Sequence, residues 1–264
     1  MAALLSAAFR YRGFILGSVK REFQTRYRSS MLGALWLILQ PLAMIIVYTV
    51  IFSEVMRARM PGESNSFAYS IYLCAGTLTW GLFSEIVNRS LTVFIDNANL
   101  LKKISFPKVA LPSIVVLSAL INFAIVFGLF LVFLITSGNF PGLSFIGFLP
   151  VLLVQVAFSV GLGLTLGVLN VFFRDVGQLM TIAISFWFWM TPIVYPVSAL
   201  PHPLHWLLKV NPMAMLVVNY QAIFVLHQWP AWTDIAVVLV EAALLIALAL
   251  RLYRKHAADM IDEL

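Results

Sequence analysis

An all-α integral membrane fold with six transmembrane helices is predicted by three observations. Of 264 residues, 62% are apolar and 11% are charged, with a mean hydropathy of +0.97; a soluble domain of this length needs far more polar surface. The apolar residues fall into six runs of about the 20 residues that cross a bilayer at about 1.5 Å each. The basic residues gather almost entirely on one side of those runs. No large soluble module fits in what remains, so residues 1–264 read as a single membrane domain.

Residues 1–32 form a basic leading segment. Within it Ile15, Val19, Phe23 and Tyr27 recur every four residues while Lys20, Arg21, Gln24 and Arg28 project elsewhere, the pattern of an amphipathic helix on the cytoplasmic leaflet. Glu22 and Arg26 blur this stripe, and a basic tail that only sets topology is the plainer alternative. Five spans occupy 33–195, at 33–52, 68–87, 109–137, 144–173 and 176–195. Residues 196–232 are broken by Pro196, Pro201, Pro203, Pro212 and Pro230 into short apolar runs. Two short external helices, at 206–210 and 213–226, re-entering the outer half of the bilayer, fit there, because backbone at that depth must be satisfied by helix or by protein. A seventh span over 213–226 is the alternative and upsets the charge balance. The sixth span, 234–250, and a tail complete 233–264.

Six spans put both termini on one side. That side carries Arg10, Arg12, Lys20, Arg21, Arg26, Arg28, Arg89, Lys102, Lys103, Lys108, Arg174, Arg251, Arg254 and Lys255; the other has Arg57, Arg59 and Lys209. The positive-inside rule therefore makes both termini cytoplasmic. Topology and anionic lipid account for the net charge of +6, and nucleic acid is not an expected partner. Residues 1–9 are mildly apolar with no preceding charge, so no signal peptide is expected. Cys74, the single cysteine, cannot form an intrachain disulfide.

No GxxxxGK[ST], HExxH, CxxC or GxSxG pattern occurs, so no enzymatic activity, bound cofactor or metal is expected of this chain. His202, His205, His227 and His256 lie outside the spans and read as interfacial polar tips. Glu241 is the one deep intramembrane acid and reads as a packing residue, whereas Glu85 near the inner end of span two suits a gate or an interfacial salt bridge. Aromatic residues gather in the spans. Trp36, Tyr48, Trp80, Trp187 and Trp189 are candidates to line a channel, since flat rings suit the apolar faces of sugars; lipid-facing or core packing is the alternative for each. The run 186–189 covers every direction of one helical turn, so at least one of its rings faces protein or a pore.

Several strings, in order along nearly the whole chain, resemble the permease subunits of ABC-2-type exporters of lipid-linked polysaccharides such as O-antigen, capsule or teichoic acid. They are Tyr27-Arg28-Ser29-Ser30-Met31-Leu32-Gly33 leading to Trp36 and Pro41; Asn97-Ala98-Asn99-Leu100-Leu101-Lys102-Lys103-Ile104-Ser105-Phe106-Pro107 with Leu111-Pro112; Phe173-Arg174-Asp175-Val176; and Thr191-Pro192-Ile193-Val194-Tyr195-Pro196, Leu200-Pro201 and Asn211-Pro212-Met213. Among these the chain is most similar to O-antigen export permeases. The resemblance implies a homodimer in the bacterial inner membrane, two copies of a separate ABC ATPase that binds ATP and magnesium, and a polyprenyl-linked polysaccharide as substrate. It makes Asp96, Asn97, Leu100, Leu101 and Lys102 a coupling helix docking into the ATPase. Asp96 or Asn97 can cap its start and the lysines suit its negative end; a simple cytoplasmic turn is the alternative. It also makes the leading amphipathic helix an interface helix, with Arg26 and Arg28 placed to meet the carrier's pyrophosphate, and has the external short helices frame the exit. Tyr220-Gln221 departs from the Tyr-Arg of many relatives. An ABC-2 exporter of small drugs or lipids is the competing function, distinguished by a closed apolar cavity in place of an aromatic-lined channel. A stand-alone secondary carrier is disfavoured by the scarcity of intramembrane charge.

Overall fold

The computed structural model describes residues 11–28, 32–51, 67–102 and 110–263, in which every regular element is helical. The helices are α1 (Arg12–Tyr27), α2 (Trp36–Thr49), α3 (Ala68–Asp96), α4 (Ala98–Leu101), α5 (Ala110–Thr136), α6 (Phe148–Phe172), α7 (Asp175–Trp189), α8 (Trp206–Val210), α9 (Pro212–Phe224), α10 (Trp232–His256) and α11 (Asp259–Glu263). Four are long and apolar enough to cross a membrane: α3, α5, α10, and α6 with the 3-10 turn Gly142–Gly147 that leads into it.

The fifth expected span is shorter than the sequence suggests, whereas the first, 33–52, is helical from Gly33 to Ile51, the last residue described there, with only its α-helical part short. α2 has 14 residues and α7 has 15, or about 21 and 22 Å against a hydrocarbon core of about 30 Å. A 3-10 turn, Gly33–Leu35, precedes α2, and Gly33 takes a positive φ of 53° at its start. α7 stops before Pro192, whose ring blocks helix continuation and restricts the residue before it. The expected span to residue 195 thus ends at Trp189, and the chain turns through Thr191 to Tyr195.

α3, α6, α9 and α10 form the packed centre. Close approach of α3 to α6 requires glycine: a Cβ at Gly163 would sit 2.7 Å from the Ser90 Cβ, and one at Gly167 would collide with the Ser90 carbonyl. α9 is buried almost throughout, with Met213, Ala214, Val217, Tyr220 and Ile223 wholly inaccessible. It is a core helix of the protein, its apolar side chains enclosed by the helices around it. Around it Phe127 stacks on Phe148 at 4.3 Å between centroids, and Phe224 meets Phe130 edge-on at 5.4 Å. On α10, Glu241 Oε2 has no hydrogen-bond partner among the described residues.

α1 packs chiefly on α5. Ile15 and Val19 are buried there and Phe23 is half-buried. Three residues of the apolar stripe, Ile15, Val19 and Phe23, are therefore covered wholly or in part by protein.

Candidate functional site

α1, α4 and α11 meet at one end of the bundle, where Arg28, Lys102, Arg174, Arg254 and Lys255 are exposed; this is the basic end. Asp96 closes α3 and Asn97 joins it to α4, a single turn of four residues. No side chain caps α4. Asn97 Nδ2 instead donates back to the Val93 carbonyl at 2.9 Å, ending α3. The expected coupling helix is thus a single turn, and its side chains divide into two faces. Leu101 is 4% exposed among Val93, Phe94, Leu111, Val115, Val168, Val171 and Met260. Leu100 is half-buried. Asp96, Asn99 and Lys102, three residues apart, face outward. Leu101, one of the residues of the expected coupling helix, consequently packs inside its own chain.

Beside this turn, polar side chains from α1, α3 and α5 converge. Arg89 Nη2 donates to Glu22 Oε2 at 2.7 Å, and Ser118 Oγ donates to the same oxygen at 2.9 Å. Arg89 Nη1 lies 3.5 Å from Glu85 Oε1, and Asn122 Nδ2 donates to Glu85 Oε2 at 2.9 Å. A groove of about 480 Å³ runs past this cluster to Asn97 and Leu100. Arg28 is exposed just after α1; the side chain of Arg26 lies outside the described residues.

The aromatic candidates separate into two groups. Trp80 is 7% exposed and packs with Phe83, Trp187 and Phe188 at 5.1 to 6.3 Å. The Trp187 indole donates to Asn211 Oδ1 at 2.7 Å, so these rings belong to the core of one chain. Trp36 and Trp189 are exposed, and Tyr48 is half-buried. Trp36 borders a groove of about 340 Å³ shared with Gln40, Thr77, Glu85 and Asn122.

At the opposite end the turn after α7 is tied to α3 and α9. Tyr72 donates to the carbonyls of Pro192 and Tyr195, both at 2.8 Å, and Tyr69 donates to that of Val194. Asn211 accepts from the Ala214 backbone N–H, capping α9, while its amide reaches Thr191 and Met190.

The ABC-2 type transporter family profile matches residues 15–225, nearly all of this helical framework from α1 to the end of α9. The chain belongs to the ABC-2 type transporter family. It is 34% identical over 251 residues, 92% of its length and 94% of the relative's, to the O-antigen export system permease protein RfbA of Myxococcus xanthus. It is 32% identical over 205 residues, 77% of each chain, to the protein of that name from Klebsiella pneumoniae. To the polysialic acid transport protein KpsM of Escherichia coli it is 26% identical over 200 residues, 75% of each chain.

In this ABC-2 type chain the residue departing from the expected Tyr-Arg pair, Gln221, is buried and donates to the Pro192 carbonyl at 2.9 Å. It belongs to the clamp on the turn after α7. Sequence reasoning passed over Glu22 as noise in an apolar stripe, and also over Asn170, whose amide donates to the Leu91 carbonyl and whose Oδ1 accepts from the Gly177 N–H. The available signal was the same for both: a polar residue inside an apolar pattern requires a partner.

Proposed function

We propose that this chain is the membrane-spanning subunit of an ATP-driven exporter that carries a lipid-linked surface polysaccharide, of the O-antigen kind, across the bacterial inner membrane. The observation that carries this reading is similarity along almost the entire chain to O-antigen export permeases. Two copies form the pathway, and two copies of a separate ABC ATPase, holding ATP and magnesium, bind at the basic end. The absence of a phosphate loop from the full sequence supports that division of labour.

The basic end is cytoplasmic by the charge rule. Six crossings, with α2 and α7 as the shorter ones, return the chain to that side, in keeping with α1 and α11 lying at one end. α8 and α9, between α7 and α10, form the external segment that frames the exit. Asp96, Asn99 and Lys102, with Leu100 at their edge, meet the ATPase, and Asn97 and Leu101 hold the turn that presents them. The exposed Trp36 and Trp189 contribute to the channel wall, and Trp80 and Trp187 brace it from behind. Arg28 and Arg26 stand beside the path of the carrier's pyrophosphate.

The test is genetic and biochemical. A strain lacking this chain loses surface polysaccharide on gels and accumulates lipid-linked polymer inside the cell, and restoring the chain reverses both. Unchanged surface polysaccharide refutes the reading. Cysteines introduced at Ser198 or His205 react with impermeant reagent applied from outside; reaction only from the cytoplasm refutes the six-crossing topology.

A further inference from the structure

We propose that Glu22 is a positioning residue for energy coupling, keying α1 to α3 so that the surface helix and the ATPase-facing turn move as one body. The proposal rests on the reading of this chain as an ATP-driven exporter. One carboxylate oxygen of Glu22 receives hydrogen bonds from Arg89 on α3 and Ser118 on α5, so a single residue of α1 joins three helices. Arg89 precedes Asp96 by seven residues, about 10 Å along the helix. The groove that Glu22 and Arg89 share also reaches Asn97 and Leu100. Glu22 is therefore attached to α3 two turns before its end, on the side that leads to the turn.

The chemistry suits a joint that must carry load and still reseat. Side chains of Glu22, Arg89 and Glu85 are 28%, 23% and 20% exposed. Fully exposed ion pairs contribute little, and breaking a fully buried one leaves an uncompensated charge at high cost. At intermediate exposure the charge-assisted bond is directional, and water can reach both groups when it opens. Glu85 lies on the other side of Arg89 and is itself anchored by Asn122, so the guanidinium is held between two carboxylates. Apolar packing of Ile15 and Val19 seats α1 on α5 but fixes no register against α3. The Glu22 to Arg89 contact supplies that register.

The test uses the whole transporter, purified with its ATPase subunit and placed in lipid vesicles. Glu22→Ala, Arg89→Ala and the exchanged pair Glu22→Arg with Arg89→Glu, made in a Glu85→Gln background that removes the like charge beside position 89, are compared with the unaltered protein and with Glu85→Gln alone. Insertion, ATPase copurification, ATP turnover with and without lipid-linked polysaccharide, and export in cells are measured for each. Glu22→Ala is expected to insert and copurify normally and to lose about tenfold in polymer exported per ATP, the factor that a charge-assisted hydrogen bond of that order carries. The exchanged pair recovers most of the loss, as a direct contact between the two side chains requires, while insertion and copurification, the readouts a merely structural role would move, stay unchanged in every variant. Normal export per ATP in Glu22→Ala overturns the proposal, as does an exchanged pair no better than the single variants. Should Glu22→Ala fail to accumulate, the same outcomes are read from Glu22→Gln, which keeps the shape and removes the charge. If polysaccharide does not stimulate even the unaltered complex, the exporter reading itself fails and takes this proposal with it. Stimulation of the unaltered complex with unchanged variants overturns the Glu22 proposal alone.

Discussion

If the turn after α3 docks the ATPase as proposed, its two faces separate stability from coupling. Leu101→Ala removes most of a side chain enclosed by Phe94, Leu111, Val115, Val168, Val171 and Met260. A well-packed leucine truncated in this way costs about 2 to 5 kcal/mol, the transfer term plus the cavity left behind. Replacing outward-facing Asp96, Asn99 and Lys102 together by alanine removes exposed groups, each worth within about 0.5 kcal/mol. Thermal unfolding in detergent, permease abundance by immunoblot, ATPase copurification and surface polysaccharide are read side by side. Leu101→Ala is expected to lower thermal stability and abundance, with export falling only as far as abundance does. The triple variant keeps stability and abundance and loses the ATPase. If Leu101→Ala unfolds at the unaltered temperature yet releases the ATPase, the inward assignment of Leu101 is wrong and its side chain belongs to the docking surface.

Asn211→Ala removes the cap of α9 and strands the Trp187 indole N–H; a lost cap of about 1 kcal/mol and an unpaired buried donor of about 1 to 3 kcal/mol predict a clear fall in unfolding temperature. Tyr72→Phe deletes the one hydroxyl proton shared between the Pro192 and Tyr195 carbonyls, worth about 1 kcal/mol in all; a cysteine placed at Ser198 is expected to label faster in that variant. Gly167→Leu drives a side chain into the Ser90 backbone carbonyl, and overpacking of about 1 to 3 kcal/mol or more is expected to reduce accumulated protein on immunoblots.

The four long apolar helices were legible because continuous apolar runs of bilayer-spanning length leave few alternatives. The length of α7 was less so: hydropathy counts the apolar residues after Trp189 as span, whereas Pro192 ends the helix. Polar contacts between distant segments were the least legible. Glu22 is 67 residues from Arg89 and 96 from Ser118, and no local pattern announces such a pairing. In the turn after α3, sequence polarity located the segment, but the inward direction of Leu101 depends on α5, α6 and α11 closing around it. The aromatic residues show the same division. Their clustering was visible, while the partition into buried Trp80 and exposed Trp189 follows from how the helices are rotated in the bundle.

The hydrogen bonds from Tyr72 give α3 a mechanical property. Its 29 residues make a lever about 44 Å long at 1.5 Å per residue. Tilting such a lever by about 5° around its midpoint displaces each tip by about 2 Å, enough to break hydrogen bonds whose useful range is only about half an ångström. The 2.8 Å bonds from Tyr72 to Pro192 and Tyr195 therefore set a tolerance. Either the turn after α7 is dragged with the lever from the first few degrees, or it is let go, so that in the proposed exporter a tilt at the Asp96 end is felt at the Tyr72 end as a bond kept or a bond broken.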